Sequence, residues 1–181
     1  MSVKITYFVH GTTTDNEKDL ATGWLPGELS TLGIQRAKEL GNLVSDKNFD
    51  VVFCSDLKRA VDSAKLGFGN KYKIIEDARL RECNYGNWNS HPSEFKDSKM
   101  DQYINTNFPK GESYSDVEKR LDDFLKTLKR NYDGKHIAIV AHQGPQLALD
   151  VLLKGKTWEE AIREDWRNNH GWKPGWEYEL A

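Results

Sequence analysis

Apolar positions recur along this chain in two rhythms, short continuous runs and longer stripes at helical spacing. Val3 to Val9 is β-branched and aromatic and runs straight into His10-Gly11, which predicts a strand ending in a turn. Ser30 or Thr31 offers a cap for a helix reaching Val44, with Ile34, Ala37, Leu40 and Val44 on one face. Asp50 to Cys54 is almost wholly apolar, as expected of a strand buried on both faces. Ser55-Asp56 then offers a cap to a helix carrying Leu57, Ala60, Val61 and Ala64, and Tyr72 to Ile75 predicts a third strand. The clearest helix is predicted from Ser115 to Arg130. Ser115 and Glu118 form its capping box, and Val117, Leu121, Phe124, Leu125 and Leu128 make its apolar stripe. Ile137 to Ala141 predicts another buried strand, leading into a helix that bears Leu147, Leu149, Val151 and Leu152. Thr157 with Glu160 caps a short helix, and Trp176 to Leu180 reads as a closing strand.

Strands alternating with helices predict an α/β class with a mostly parallel sheet covered on both faces. The 181 residues fit one domain, residues 1–181, and show no internal repeat. The polar stretch from Asn87 to Glu112 lacks strong periodicity and reads either as a lid over a site or as a long surface excursion.

Composition narrows the function. A formal net charge of −2 leaves no basic footprint for nucleic acid, and no apolar run approaches a membrane span. The N-terminus enters a strand pattern at once, without the apolar stretch of a signal peptide, so a cytoplasmic location is expected. Cys54 and Cys83 form no CxxC pair and read as two reduced thiols, although a bridge between them stays open.

Ligands in open parallel sheets sit beyond the carboxyl ends of the strands. His10, Arg59, Glu82 and His142 all fall at or shortly after such ends. A neutral imidazole can attack phosphorus and form a covalent phosphohistidine. Arg59, His142 and backbone N–H groups at a helix start can hold phosphoryl oxygens, while Glu82 can exchange the proton of the leaving oxygen and the attacking water. No metal-ligand spacing such as HxxxH is present, so no metal is expected. Each residue also has a plainer reading: a solvated His10, a surface Arg59, a Glu82 paired with Arg79 or Arg81, a core His142. His91 and His170 read as exposed polar residues, and Cys83 is a weak thiol candidate with no base fixed beside it.

Six segments, in order, resemble the histidine phosphatase (phosphoglycerate-mutase-like) superfamily over nearly the whole chain. They are Tyr7-Phe8-Val9-His10-Gly11 with Asn16, Leu29-Ser30-Thr31-Leu32-Gly33, Ser55-Asp56-Leu57-Lys58-Arg59-Ala60, Leu80 to Trp88, Gly111-Glu112-Ser113, and Ala141-His142-Gln143-Gly144. The resemblance implies a three-layer α/β/α fold without cofactor, and the shorter, phosphatase branch acting on a small phosphorylated metabolite or ester. It implies His10 as phosphoryl acceptor, Glu82 as acid/base, and Arg59 with His142 as phosphate ligands. Gly11, Thr13, Asn16 and Gln143 would complete the substrate shell.

The family pattern has arginine where Val9 stands. Losing charge-assisted hydrogen bonds of about 1.5–3 kcal/mol each implies at least about tenfold weaker phosphate binding or turnover. Gln143 likewise replaces a glycine, and Asn89-Ser90 replaces a Glu-Gly. Three readings follow: a weakened phosphatase, a non-catalytic binding protein, or a site repurposed for less charged esters. The sequence leaves the substrate and the oligomeric state open.

Overall fold

The computed structural model describes residues 2–69, 71–168 and 175–181. In chain order the strands are β1 (Val3–Val9), β2 (Val51–Cys54), β3 (Ile74–Glu76), β4 (His136–Ala141) and β5 (Trp176–Leu180). The helices are α1 (Thr31–Leu43), α2 (Lys58–Phe68), α3 (Ser93–Asp97), α4 (Tyr114–Asn131), α5 (Gln143–Lys154) and α6 (Trp158–Arg163). One sheet runs β3-β2-β4-β1-β5, parallel throughout except where β5 pairs antiparallel with β1.

Residue parity in the strands divides the interior in two, because successive side chains leave opposite faces. Val51, Phe53, Ile137, Ile139 and Ala141 join a core with Leu121, Phe124 and Leu128 of α4 and Leu147 of α5. Val52, Cys54, Ala138 and Val140 join a second core with Val61, Ala64 and Phe68 of α2 and with Val44 just past α1. Helices therefore cover both faces, as the alternation predicts. Near-continuous apolar strands are what this double burial requires.

Several boundaries differ from the sequence reading, each for a visible reason. Helix α4 starts at Tyr114 with Ser113 and Asp116 as its capping box, two residues before the expected pair. Glu118 instead accepts a 2.6 Å bond from Trp158 Nε1, and Ser115 Oγ donates to Asn105. No side chain caps α2; Ser55 Oγ accepts from Leu57 N, while Asp56 pairs with Arg81. Strand β3 begins at Ile74, since Tyr72 is held by the Phe68 carbonyl in the turn after α2. Ile34 is exposed, because α1 meets the β1 loop through Gly33 rather than through an apolar side chain. Both thiols are free and buried, which removes the disulfide alternative.

The stretch from Asn87 to Glu112 is packed, not extended into solvent. Met100, Ile104 and Phe108 enter the larger core, and Tyr103 stacks on Phe108 at 3.9 Å. Backbone bonds between Ala21 and both Ser90 and His91, and from Ser93 to Asp19, tie it to the loop after β1.

Candidate active site

Strand β1 delivers His10 into a loop fixed on all sides. His10 N donates to Ala141 O at 3.0 Å, Gly11 N donates to Ser63 Oγ at 2.9 Å, and Ser30 N donates to Thr12 O at 3.0 Å. Loop and helix meet backbone to backbone. A Cβ on Gly33 would stand 1.9 Å from Thr12 O, and one on Gly11 would stand 2.6 Å from Gly33 O. Thr13 and Asn16 then lock each other: Thr13 N donates to Asn16 Oδ1 and Asn16 N to Thr13 Oγ1, both at 3.0 Å.

The state of the His10 ring follows from its partners. Nδ1 lies 2.7 Å from Gly11 O, which can only accept, so Nδ1 carries the proton. Nε2 is then the lone-pair nitrogen and accepts from Arg59 Nε at 3.3 Å. Desolvation first, and the Arg59 charge second, push the His10 pKa down to about 3. At neutral pH this imidazole is uncharged and nucleophilic.

Arg59, on the first turn of α2, is 2% exposed. Its Nη1 donates to Leu25 O at 2.8 Å and its Nη2 to Gly23 O at 2.7 Å, so one edge of the guanidinium pins the 23–26 loop. Only the Nε edge is turned to His10.

His142 follows β4 and begins α5. Tyr7 OH bridges its main chain, donating to His142 O at 2.6 Å and accepting from His142 N at 2.9 Å. The ring stands 5.0 Å from that of His10, fully buried, and neither nitrogen has a hydrogen-bond partner among the described residues. Burial, then Arg59, holds its pKa well below the usual imidazole value. A buried imidazole without a partner is costly unless a ligand supplies one.

Glu82 is buried and pairs with neither neighbouring arginine: Arg79 goes to Asp77 and Asp123, and Arg81 to Asp56. Its Oε1 accepts from Cys83 N at 2.8 Å and Gly144 N at 2.9 Å, leaving Oε2 without a bond among the described residues. The Gly111-Glu112-Ser113 turn explains how it is held. Glu112 grips Arg120 and the Asn84 amide, and Arg120 Nη2 donates to Glu82 O at 2.9 Å. Trp24 Nε1 donates to the same carbonyl at 2.7 Å.

One cavity of about 700 Å³ is lined by Val9, His10, Gly11, Asn16, Arg59 and Glu82. Gln143 also reaches it, but its amide nitrogen is committed to Asp165. Thr13 and His142 depart from the expectation: both are fully buried and neither lines the cavity, and the Thr13 hydroxyl serves Asn16. His91 is exposed and does not line the cavity, and His170 lies outside the described residues. Burial drives the Cys83 thiol pKa well up, which removes it as a nucleophile. Among the described residues no cluster of three His, Cys, Asp or Glu could hold a metal, and no helix is long and apolar enough to cross a membrane.

A family model described as the histidine phosphatase superfamily (branch 1) matches residues 7–174. The chain belongs to this superfamily. An adenosylcobalamin/alpha-ribazole phosphatase of Escherichia coli is 29% identical over 158 residues, covering 81% of this chain and 76% of that protein. A 2,3-bisphosphoglycerate-dependent phosphoglycerate mutase of Methylorubrum extorquens is 32% identical over 165 residues, covering 82% and 77%. In three dimensions the chain is similar to the alpha-ribazole phosphatase of Shigella flexneri, with a TM-score of 0.76 and 27% identity over 90% of this chain and 84% of that one. Relatives within the superfamily thus include both phosphatases and mutases.

Sequence reading missed four residues that build this candidate site. Tyr7 sits inside an apolar run that reads as core, and nothing local reveals that its hydroxyl clamps His142. Ser63, four residues after Arg59, does carry a signal: the i, i+4 spacing puts it one turn above the arginine, where its hydroxyl bonds Arg59 O and receives Gly11 N. Lys96 and Arg167 both line the cavity, yet no motif marks either.

Proposed function

We propose that this chain hydrolyses phosphomonoesters through a phosphohistidine on His10. The observation that carries the reading is the neutral His10 ring, fixed by Gly11 O so that Nε2 faces the Arg59 Nε edge beside an unpartnered His142. In the first step Nε2 bonds to phosphorus as the ester P–O bond breaks, and Glu82 in its acid form protonates the departing oxygen. In the second, Glu82 takes a proton from water, whose oxygen attacks phosphorus and releases phosphate from Nε2. Arg59 Nε, the His142 ring and Asn16 hold the equatorial oxygens. The segment from Asn87 to Glu112 acts as the lid that selects the ester. Rapid quenching of a labelled aryl phosphate reaction is expected to trap an acid-labile, base-stable phosphoryl group on His10. Label on another residue, or no label in a chain that turns over, would remove the covalent mechanism.

Val9 favours a second reading, hydrolysis of less charged esters. This apolar side chain lines the cavity, and the Nη groups of Arg59 are already bonded to carbonyls, so few guanidinium N–H groups remain for a dianion. Val9→Arg is expected to raise phosphate affinity and aryl phosphate turnover together, by about tenfold or more. An unchanged inhibition constant for inorganic phosphate would show that position 9 does not face the anion. Neutral esters turning over faster than phosphates in the natural chain would favour the second reading.

A further inference from the structure

Gln143 opens α5, and chemistry assigns the two ends of its amide. Its Nε2 donates to Asp165, a buried side chain that Arg167 grips through Nε at 3.2 Å and Nη2 at 3.1 Å. Paired with that guanidinium, Asp165 meets the amide as a carboxylate, which only accepts. The nitrogen end is therefore turned to Asp165, which does not line the cavity, and the carbonyl end is turned away from it. Gln143 itself is 6% exposed and lines the cavity. Its Oε1 accepts no bond among the described residues, yet it is not one of the sealed polar atoms that lack a partner, so it opens on the cavity.

A carbonyl oxygen in that place suits one kind of contact. It repels phosphoryl oxygens and takes a hydrogen from O–H or N–H. Gln143 thus differs from the phosphate ligand that the sequence resemblance implies. The next residue fixes where the acceptor stands: Gly144 N holds Glu82 Oε1 at 2.9 Å, and a Cβ on Gly144 would lie 2.4 Å from the same oxygen. Gln143 is therefore on the Glu82 side of the cavity, where the departing alcohol takes its proton in the mechanism above. Glu82 Oε2 is engaged by that proton, and Lys96 and Arg167, which line the same cavity, can only donate. Among these groups Gln143 Oε1 is the neutral acceptor left for the alcohol.

We infer that Gln143 is a specificity-determining residue whose carbonyl accepts from a hydroxyl on the departing alcohol, so that the ester this chain takes is the phosphate of a diol or polyol. The inference rests on the phosphomonoester reading above. Asp165 and Arg167 set this contact without making it. They orient the amide, so the carbonyl is in place before the ester arrives. A site built around such a bond rejects an analogue that lacks the hydrogen, because the acceptor is then left unpaired.

Esters of one carbon skeleton test it: glycerol 1-phosphate, its 2,3-dimethyl ether and propyl phosphate. The ether keeps both oxygens, which can still accept from Lys96 or Arg167, but it has no hydrogen for Gln143. Specificity constants are read from phosphate release and dissociation constants from calorimetry. Glycerol 1-phosphate is expected to exceed each of the others by at least about tenfold in kcat/KM. In Gln143→Met and in Gln143→Gly that advantage is expected to fall toward one. A merely structural role for the Gln143–Asp165 pair would lower all three esters alike and keep their ratio, and that result overturns the inference. An ether that matches glycerol 1-phosphate in the natural chain overturns it as well, a comparison that stands even where neither variant folds. Phosphate release without preference would sink this inference and leave the hydrolase reading intact. Preferential binding of glycerol 1-phosphate without phosphate release would do the reverse, and no binding of any ester would sink both.

Discussion

His10→Ala is expected to lower the turnover of 4-nitrophenyl phosphate by at least about 10³-fold, the scale at which covalent catalysts lose function without their nucleophile. The geometry gives a specific reason. Gly11 O fixes the ring tautomer and Arg59 Nε marks the direction of the Nε2 lone pair, and alanine removes the nitrogen proposed to attack while leaving Arg59, Glu82 and His142 in place. Phosphate binding should therefore survive better than catalysis. Steady-state rates for the two chains, with a phosphate inhibition constant for each, make the comparison. Rates within a few-fold of each other would mean that water attacks directly or that His10 is a bystander.

Acid is expected to destabilise the protein well above the range in which carboxylates titrate. His10 and His142 both have pKa values below the ordinary imidazole value of about 6.5, chiefly through burial. Below pH 6.5 the unfolded chain takes up protons at these residues while the folded chain does not, so stability falls as pH falls. It is fully present above pH 6.5, and for His10 the loss continues down to about pH 3. Each group contributes up to about 1.4 kcal/mol per pH unit, so the pair should cost roughly 3 kcal/mol between pH 6.5 and pH 5. His10 is only half-buried, facing the cavity, which makes that figure an upper value. Urea midpoints across this window measure the slope, and His142→Asn should remove about half of it. A flat profile from pH 6.5 to 5 would show that the rings are not held neutral.

Much of this architecture was legible because strand burial and topology leave strong local marks. Runs such as Ile137 to Ala141 are apolar at every position only when both faces of a strand are covered, and a parallel sheet brings the ends of such strands together. His10, Arg59, Glu82 and His142 could be gathered on that argument from the sequence alone. The start of α4 was not legible. Ser113-x-x-Asp116 and Ser115-x-x-Glu118 compete as capping boxes, and the decision rests on Trp158 drawing Glu118 away from 40 residues downstream. Lys96 and Arg167 stayed hidden for a related reason. A charged side chain announces no burial in its own segment, and theirs is imposed by α3 and the turn after α6 closing on Tyr85 and on each other.

Where Gly33 meets Thr12 and Gly11 meets Gly33, two main chains touch with no side chain between them. Neither glycine can be exchanged, so the main-chain path beneath His10 is closed to gradual change. Diversification must then fall on side chains, at Val9 next to His10 and at the opposite margin, where Ser93 and Lys96 can vary one at a time without disturbing the floor. Anyone wishing to redirect this scaffold to a new ester would begin at that margin and leave the glycine floor untouched.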